Sequence, residues 1–484
     1  MTTQVDHRNP QAASSLRGYI KNVLKTRHFD NMTSQYLLPS DLNLLASHLN
    51  IKNIVESDKT IPSVEKDLLV NEIERKGRRM FVICVAAGVT MDYLSIFLQH
   101  AATDAEIPFT EDKFSEQPQD VRDNASDFNR FQYLVPQVLT NGDFAASYSS
   151  AGVPIELLSS SQGVDPLGSG VSGAVYKARL DADYCHISDV RADPDLVGLT
   201  QEVAIKVYQL NSGVQQAHAK REISFAETIA TDRHHKHIMK SYAAFTVHTQ
   251  GQSGESCYLV SELAKKSLQG LMINDQVTSE RMLKGAEWVK QQIRGLADAL
   301  RLIHKPQNGY TGVHHDIKPD NILVCGKNNN LKFTDWGCAS FKGADFTPSS
   351  SPKTSARGQF PYLPPEHLSD SPTGRPTGRP HDVWALGCVF TEMLVWLTEG
   401  KDSHGTFATK VYKNVNEDDH DCWFVGRGNT LTLSQVLKDK LDLLGTGTWR
   451  NLVSIIRKMF IIDPQNRITV EDLVTDLNDS QNQI

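Results

Sequence analysis

Cysteine is sparse and unpaired in this sequence. Seven cysteines fall at no CxxC spacing and in no zinc-finger pattern, and their odd number argues against a disulfide framework. The opening stretch, MTTQVDHRNP, has no apolar segment behind a basic head, so no secretory leader is expected. Positive charge is not in excess either. A formal net charge of −7 argues against nucleic acid as the main partner, because such binding leans on basic surface. Long hydrophobic runs are scarce. The one candidate, MFVICVAAGVTMDYLSIFL from Met80, is about as apolar as a weak membrane span. Asp92 would sit inside it at a cost of roughly 3 kcal/mol. The reading is therefore two buried helices, broken near Gly88, with Thr90 capping the second, and no membrane span. The compartment expected from these absences is reducing: cytoplasm or nucleus.

What is present describes an ordinary globular chain. Its 484 residues, 39% hydrophobic and 22% charged, allow two or three domains, each with its own core. Residues 1–150 read as helical. VEKDLLVNEIERKGRRMFVICVAA begins with Leu68, Leu69 and Ile73 at helical steps, and FNRFQYLVPQVL is a further helix that Pro136 must interrupt. TEDKFSEQPQDVRDNASD between them is charged and reads as a surface loop. No catalytic constellation occurs there, which leaves a helical regulatory or docking module with a possible protein partner.

From about residue 152 the pattern changes to strand and turn. LGSGVSGAVYKARL places Gly168, Gly170 and Gly173, with Leu167, Ser169 and Val171, in a G-x-G-x-x-G-x-V pattern. Glycines let a hairpin lie over phosphates without side chains in the way. A dinucleotide site would need a helix directly after the last glycine, whereas Ala174 to Leu180 alternates as a strand. In EVAIKVYQL, Val203, Ile205 and Val207 share one face and Ala204 and Lys206 the other. AKREISFAETIA then reads as a helix offering Glu222, with Glu227 as the alternative, to hold Lys206. The histidines His234, His235 and His237 invite a metal reading, which ranks low. Val289, Ile293, Leu296, Leu300 and Ile303 form the core stripe of an amphipathic helix. Directly after it, HHDIKPDNIL and KFTDWG gather Asp316, Lys318, Asn321 and Asp335. Those are the groups phosphoryl transfer needs: a base near the acceptor hydroxyl, a cation near the moving phosphate, and oxygen ligands for magnesium.

Taken together, these motifs resemble the eukaryotic protein kinase family, serine/threonine branch, over roughly residues 155–480. The resemblance implies an α+β, bilobal kinase fold preceded by a mostly helical N-terminal module. Its domains would be 1–150 and 152–480, with a small lobe of about 152–264, a large lobe of about 265–480, and ATP between the lobes. Asp316 matches the catalytic base and Lys318 the residue that contacts the transferring phosphate. Asn321 and Asp335 match the magnesium ligands, Lys206 the phosphate lysine, and Glu222 its partner. Val175 and Ala204 would cover the adenine, and Leu323 would lie beneath it. In YLVSELAKKSLQGLM, Ser261 matches the gatekeeper, and the backbone of Glu262 and Ala264 would receive the base. Glu366 and Arg467 match a buried ion pair, and Asp382 an aspartate that braces the catalytic loop. That structural set points to protein substrates, with ATP and Mg2+ as cofactors. A helical segment ahead of such a domain is similar to an arrangement in expanded kinase families of filamentous fungi. A span over residues 80–98 would export the ATP-using part, which that function forbids.

Several positions depart from the family pattern. His315 stands where an arginine usually precedes the catalytic aspartate, a "non-RD" arrangement. It weakens the case for activation through Thr347, Ser349, Ser350, Ser351, Thr354 or Ser355. Trp336 replaces a phenylalanine, Gln359 a threonine, and Pro364 an alanine. The segments 181–200, PTGRPTGRP from Pro372 and GTFATKVYKNVNEDDHDCWF from Gly405 read as surface excursions without an assigned role. The rival reading is a pseudokinase scaffold, which binds partners, with or without ATP, and performs no turnover; none of Lys206, Asp316 and Asp335 is missing, which argues against it.

Overall fold

The computed structural model describes residues 12–29, 32–100, 103–107, 109, 119, 122, 125–136, 138–149, 152–158, 166–170, 173–180, 184–187, 202–210, 212–232, 234–248, 255–274, 285–305, 310–343, 360–367, 378–412, 423–426 and 430–479. Val171, Gln359 and the candidate phosphate acceptors between 347 and 355 lie outside these residues. The chain divides into two compact units. The first holds residues 1–169, 174–209 and 243–258, and the second holds 170–173, 210–242 and 259–484.

The first unit begins with α1 (Ala12–Val23), the hairpin β1 (Lys25–Phe29) and β2 (Met32–Tyr36), then α2 (Pro39–Leu45), α3 (His48–Ser57), α4 (Lys66–Lys76), α5 (Arg78–Ala87), α6 (Met91–Gln99) and α7 (Ala125–Phe131). The apolar run at 80–98 is two buried helices, as its pattern predicts. Gly88 ends α5 at φ +80, a left-handed conformation that side chains resist. The Arg17 guanidinium covers the same glycine and donates from Nε to Val85 O at 2.9 Å. Thr90 occupies the N-cap position of α6 but makes no side-chain capping bond. Asp58, 33 residues earlier, accepts from Met91 N at 2.8 Å and does that work. Asp104 likewise caps α5 from outside, taking Arg79 N at 2.8 Å and Met80 N at 3.0 Å. Burial pushes the Asp104 carboxyl up, while these N–H donors and Arg79 pull it back. The core closes over an aromatic cluster of Tyr93, Phe97, Phe109 and Phe128. Buried Gln132 accepts from Phe109 N and donates to Phe109 O, which satisfies that backbone inside the core.

The same unit carries most of the sheet. Its strands are β3 (Leu139–Thr140), β4 (Ala146–Ser149), β5 (Ile155–Leu157), β6 (Gly168–Gly170), β7 (Gly173–Leu180), β8 (Cys185–His186), β9 (Glu202–Gln209), β10 (Ser241–His248) and β11 (Glu255–Glu262). The main sheet runs β4-β10-β11-β9-β7-β5, with β6 folded onto β7, while β3 pairs with β8 apart from it. Two expectations change here. The N-terminal region is largely helical but also contributes β1 to β4, and the supposed excursion after β7 contains a paired strand.

The second unit is mainly helical, with α8 (Gly213–Asp232) lying in sequence between β9 and β10. After β11 come β12 (Lys266–Ser267), α9 (Leu268–Ile273), α10 (Gly285–His304), β13 (Tyr310–Val313), β14 (Ile322–Cys325), β15 (Asn330–Phe333) and β16 (Ser340–Gly343). They are followed by α11 (Arg379–Tyr412), β17 (Phe424–Val425), β18 (Thr432–Leu433), α12 (Gln435–Leu444), α13 (Arg450–Met459) and α14 (Val470–Asp479). All five stripe residues of α10 are buried, as the periodicity requires. By length and composition α11 is apolar enough to cross a bilayer, but it is mostly buried in this core and breaks at Gly400. The stretch from Gly405, read as a surface excursion, is helical as far as Tyr412.

Candidate active site

The loop between β13 and β14 is held by a residue far along the chain. Asp382, fully buried in the first turn of α11, accepts His314 N on Oδ2 and His315 N on Oδ1, both at 2.8 Å. His304 Nε2, at the end of α10, donates to the same Oδ2 at 2.8 Å. Burial alone would raise the Asp382 pKa, but the His304 bond and the neighbouring histidines hold it well below the usual carboxylate range. A buried anion therefore fixes the loop backbone. His314 in turn places its Nε2 on Thr334 O at 3.0 Å and takes Asp316 N on Nδ1 at 3.3 Å. That arrangement assigns the proton to Nε2.

Within the loop the candidate side chains converge. Asp316 Oδ2 accepts from Lys318 Nζ at 2.7 Å and from Asn321 Nδ2 at 2.8 Å. Asn321 Nδ2 also donates to Asp316 O at 2.9 Å. Reversing the amide would set an oxygen against two oxygens, so the network fixes its orientation and leaves Oδ1 outside it. The β14–β15 hairpin pairs Ile322 with Phe333, and Thr334 N donates to Asn321 O at 3.0 Å. Asp335 follows directly, so the two predicted metal ligands sit at one open end of a hairpin. An amide oxygen and a carboxylate are the hard donors magnesium prefers, with phosphate oxygens and water completing its shell. Among the described residues no cluster of three or more His, Cys, Asp or Glu side chains could hold a metal ion.

The backbone is strained at this place. His315 and Asp335 have φ of +67 and +62, a region ordinary residues avoid. Such outliers persist where surrounding structure enforces them. Asp335 is so enforced: Oδ1 accepts Gly337 N at 3.4 Å, and Arg221 of α8 donates to Gly337 O at 3.3 Å. Trp336 stacks on Phe225 of α8 at 4.6 Å and lies 4.8 Å from the His314 ring. Glu222, one turn before Phe225, is buried, while Glu227 is exposed. A methyl on Gly337 would lie 3.3 Å from Asp335 Oδ1 and 3.5 Å from Glu222 Oε2, so both carboxylates flank that glycine. Burial thus favours Glu222 over Glu227.

At the end of β11, Ser261 Oγ lies 3.4 Å from Ser241 Oγ. Glu262 is clamped, with both carboxylate oxygens on Lys332 Nζ at 2.6 and 2.8 Å and Oε1 also on Lys240 N. Ala264 follows, half-buried and outside any helix or strand, and Leu323, also half-buried, pairs across β14–β12 with Ser267. In the first unit, Lys206 and Ala204 are half-buried on one face of β9, and Val203 and Ile205 are buried on the other. Val175 on β7 stands opposite Lys206 in register. Leu167, Gly168 and Ser169 are exposed, and Gly173 turns at φ +142, a conformation that side chains resist. Sequence reasoning missed Lys332, His304 and Phe225. His304 was one step from the legible stripe, but nothing local marked any of the three.

The histidine cluster is structural. His237 Nδ1 donates to Leu331 O at 2.7 Å, and its Nε2 side fills the notch over Gly295, where any Cβ would collide with the ring. His235 takes His237 N on Nδ1 and meets Asp298 Oδ2 with Nε2 at 3.2 Å. Burial pushes His237 down to about 4, against about 6.5 when unfolded. Below pH 6.5 the unfolded chain therefore binds a proton that the folded ring refuses, so stability falls as pH drops towards 4. The difference amounts to about 3 kcal/mol at most. Urea midpoints taken from pH 7 to 4 should fall more steeply for the native chain than for His237→Gln; parallel curves would remove His237 from the account.

A protein kinase domain model matches residues 196–477, more than half of the chain. Aurora kinase C of Mus musculus is 27% identical over 260 residues, covering 52% of this chain and 75% of its own. The Aurora kinase of Schizosaccharomyces pombe is 28% identical over 257 residues, covering 52% and 59%. Serine/threonine-protein kinase Nek10 of Mus musculus is 26% identical over 249 residues, covering 51% of this chain but only 20% of that protein.

Proposed function

This chain belongs to the eukaryotic protein kinase family, in its serine/threonine branch, and from that premise we propose that it transfers the γ-phosphoryl group of ATP to serine or threonine hydroxyls of proteins. The observation that carries the reading is the Asp316 carboxylate, held by Lys318 and Asn321 in a loop pinned on Asp382. A carboxylate so fixed orients the acceptor hydroxyl and takes its proton as the new O–P bond forms and ADP departs. Lys318, beside it, offsets negative charge developing on the phosphoryl oxygens.

Asn321 Oδ1 and Asp335 would hold magnesium, whose positive charge would offset that of the phosphates when it is bound. Lys206 and the glycine hairpin would position the phosphates, with Glu222 orienting Lys206. Val175, Ala204 and Leu323 would enclose the adenine, and the backbone at Glu262 and Ala264 would receive its edge beside Ser261. Protein substrates and an ATP-containing compartment, cytoplasm or nucleus, belong to the same proposal.

The test is transfer of labelled γ-phosphate from Mg-ATP by the purified full-length chain to a generic basic protein, followed by phosphoamino-acid analysis. Phosphoserine or phosphothreonine that disappears with Asp316→Ala is the expected result. ATP binding with no transfer from the native chain would replace this reading with a scaffold that binds without turnover.

A further inference from the structure

We propose that residues 139–149 form a strap that makes the N-terminal helices a permanent partner of the sheet, with the insertion after β7 as its anchor. The strap grips the sheet-bearing part of the first unit at two places. Its first end, β3, pairs in parallel with β8, matching Leu139 to Cys185 and Thr140 to His186. Leu139 N donates to Tyr184 O at 2.9 Å. Gly142, at φ +86, then turns the chain, and Asp143 stabilises the turn by accepting Ala145 N on Oδ1 at 3.1 Å. Asp143 O receives Ala244 N at 2.9 Å. From there β4 runs parallel to β10, placing Ala146, Ser147, Tyr148 and Ser149 beside residues 245–248.

The anchor is built rather than incidental. Tyr184 is buried, donates its hydroxyl to Leu37 O at 2.5 Å, and sets its ring edge-on against Tyr36. Cys185 and Ile187 are fully buried, and Cys185 Sγ donates to Pro154 O at 3.3 Å. On the helical side, Arg79 of α5 donates to Val135 O and Pro136 O, just ahead of the strap. Arg79 thus ties α5 to the backbone that leads into the strap.

This arrangement has a physical purpose. The β10 edge, if bare, would present a row of unpaired N–H and C=O groups, a template for unwanted pairing. β4 covers it in the manner of strand addition. Because the strap also pairs with β8, removing residues 1–150 would bare the β10 edge and unpair β8 at once. A chain begun at residue 152 would consequently test folding and not regulation.

The experiment uses the full-length chain with a protease recognition site inserted between residues 150 and 151. After native cleavage the two fragments are expected to co-elute at the mass of the uncut protein, and to separate only in denaturant. With Tyr184→Ala in the cut protein, separation should need less denaturant, and Tyr184→Phe, which loses only the hydroxyl bond, should fall between. Hydrogen exchange should show the amides of Leu139 and Ala244 protected together in the uncut chain. Fragments that part in native buffer, or an Ala244 amide that exchanges freely while the helical core stays protected, would overturn the strap. Neither readout depends on phosphate transfer, so this proposal and the catalytic one fail separately.

Discussion

Replacing Asp316 by asparagine is expected to lower turnover by about 10²- to 10⁴-fold, the range that a positioned acid–base group supplies. At about 1.4 kcal/mol per decade, that is roughly 3 to 5.5 kcal/mol of transition-state stabilisation. The amide keeps the shape of the carboxylate but cannot accept a proton, and it withdraws the charge paired with Lys318 at 2.7 Å. KM for ATP should move by less than about 3-fold, because the phosphates are assigned to other groups and only transition-state interactions are lost. The thermal midpoint should also stay close to native, since Asp382 and not Asp316 holds the loop backbone. Steady-state kinetics and a melting curve on one preparation decide the matter. Turnover within ten-fold of native, with folding intact, would remove Asp316 from the chemistry.

Why was so much of this site visible in the sequence? Asp316, Lys318, Asn321 and Asp335 fall within twenty residues, and a tight loop plus one hairpin suffices to gather them. Spacing along the chain is then nearly spacing in space. The stripe of α10 and the alternation of β9 are likewise local, because helix and strand periods are written into neighbouring residues. Long-range closure carries no such signature. Asp58 caps α6 from 33 residues away and Asp382 reaches His314 across 68. No composition or period announces either. The pairing of β3 with β8 was the least legible, since two-residue strands have no alternation to read. Thr90 shows the converse error. It satisfied every local cap preference, and tertiary structure supplied a better acceptor.

The second large effect concerns stability and comes from Arg467. Its guanidinium is buried and uses every donor it has. Nη1 and Nη2 meet Glu366 Oε1 and Oε2 at 2.8 and 2.9 Å. Nη1 also reaches Pro380 O, Nη2 reaches Ile462 O, and Nε reaches Ile461 O. The ring of Trp384 lies 5.0 Å from its central carbon. Arg467→Ala therefore strands a carboxylate that is itself buried. Half-breaking a buried pair costs about 3–5 kcal/mol, against total stabilities of roughly 5–15 kcal/mol for a typical protein. Glu366→Gln should cost somewhat less, because the amide oxygen still accepts one bond while the cation loses its counter-charge. Replacing both residues together by apolar side chains should destabilise less than either single change, since no orphaned charge remains. Urea denaturation of the four proteins gives the comparison directly. A loss below about 1 kcal/mol for Arg467→Ala, the value of an exposed pair, would mean that water already reaches the carboxylate. The contrast with Asp316 then separates the two kinds of charge in this unit. Asp316 is expected to govern rate with little effect on folding, and Arg467 to govern folding before any rate can be measured.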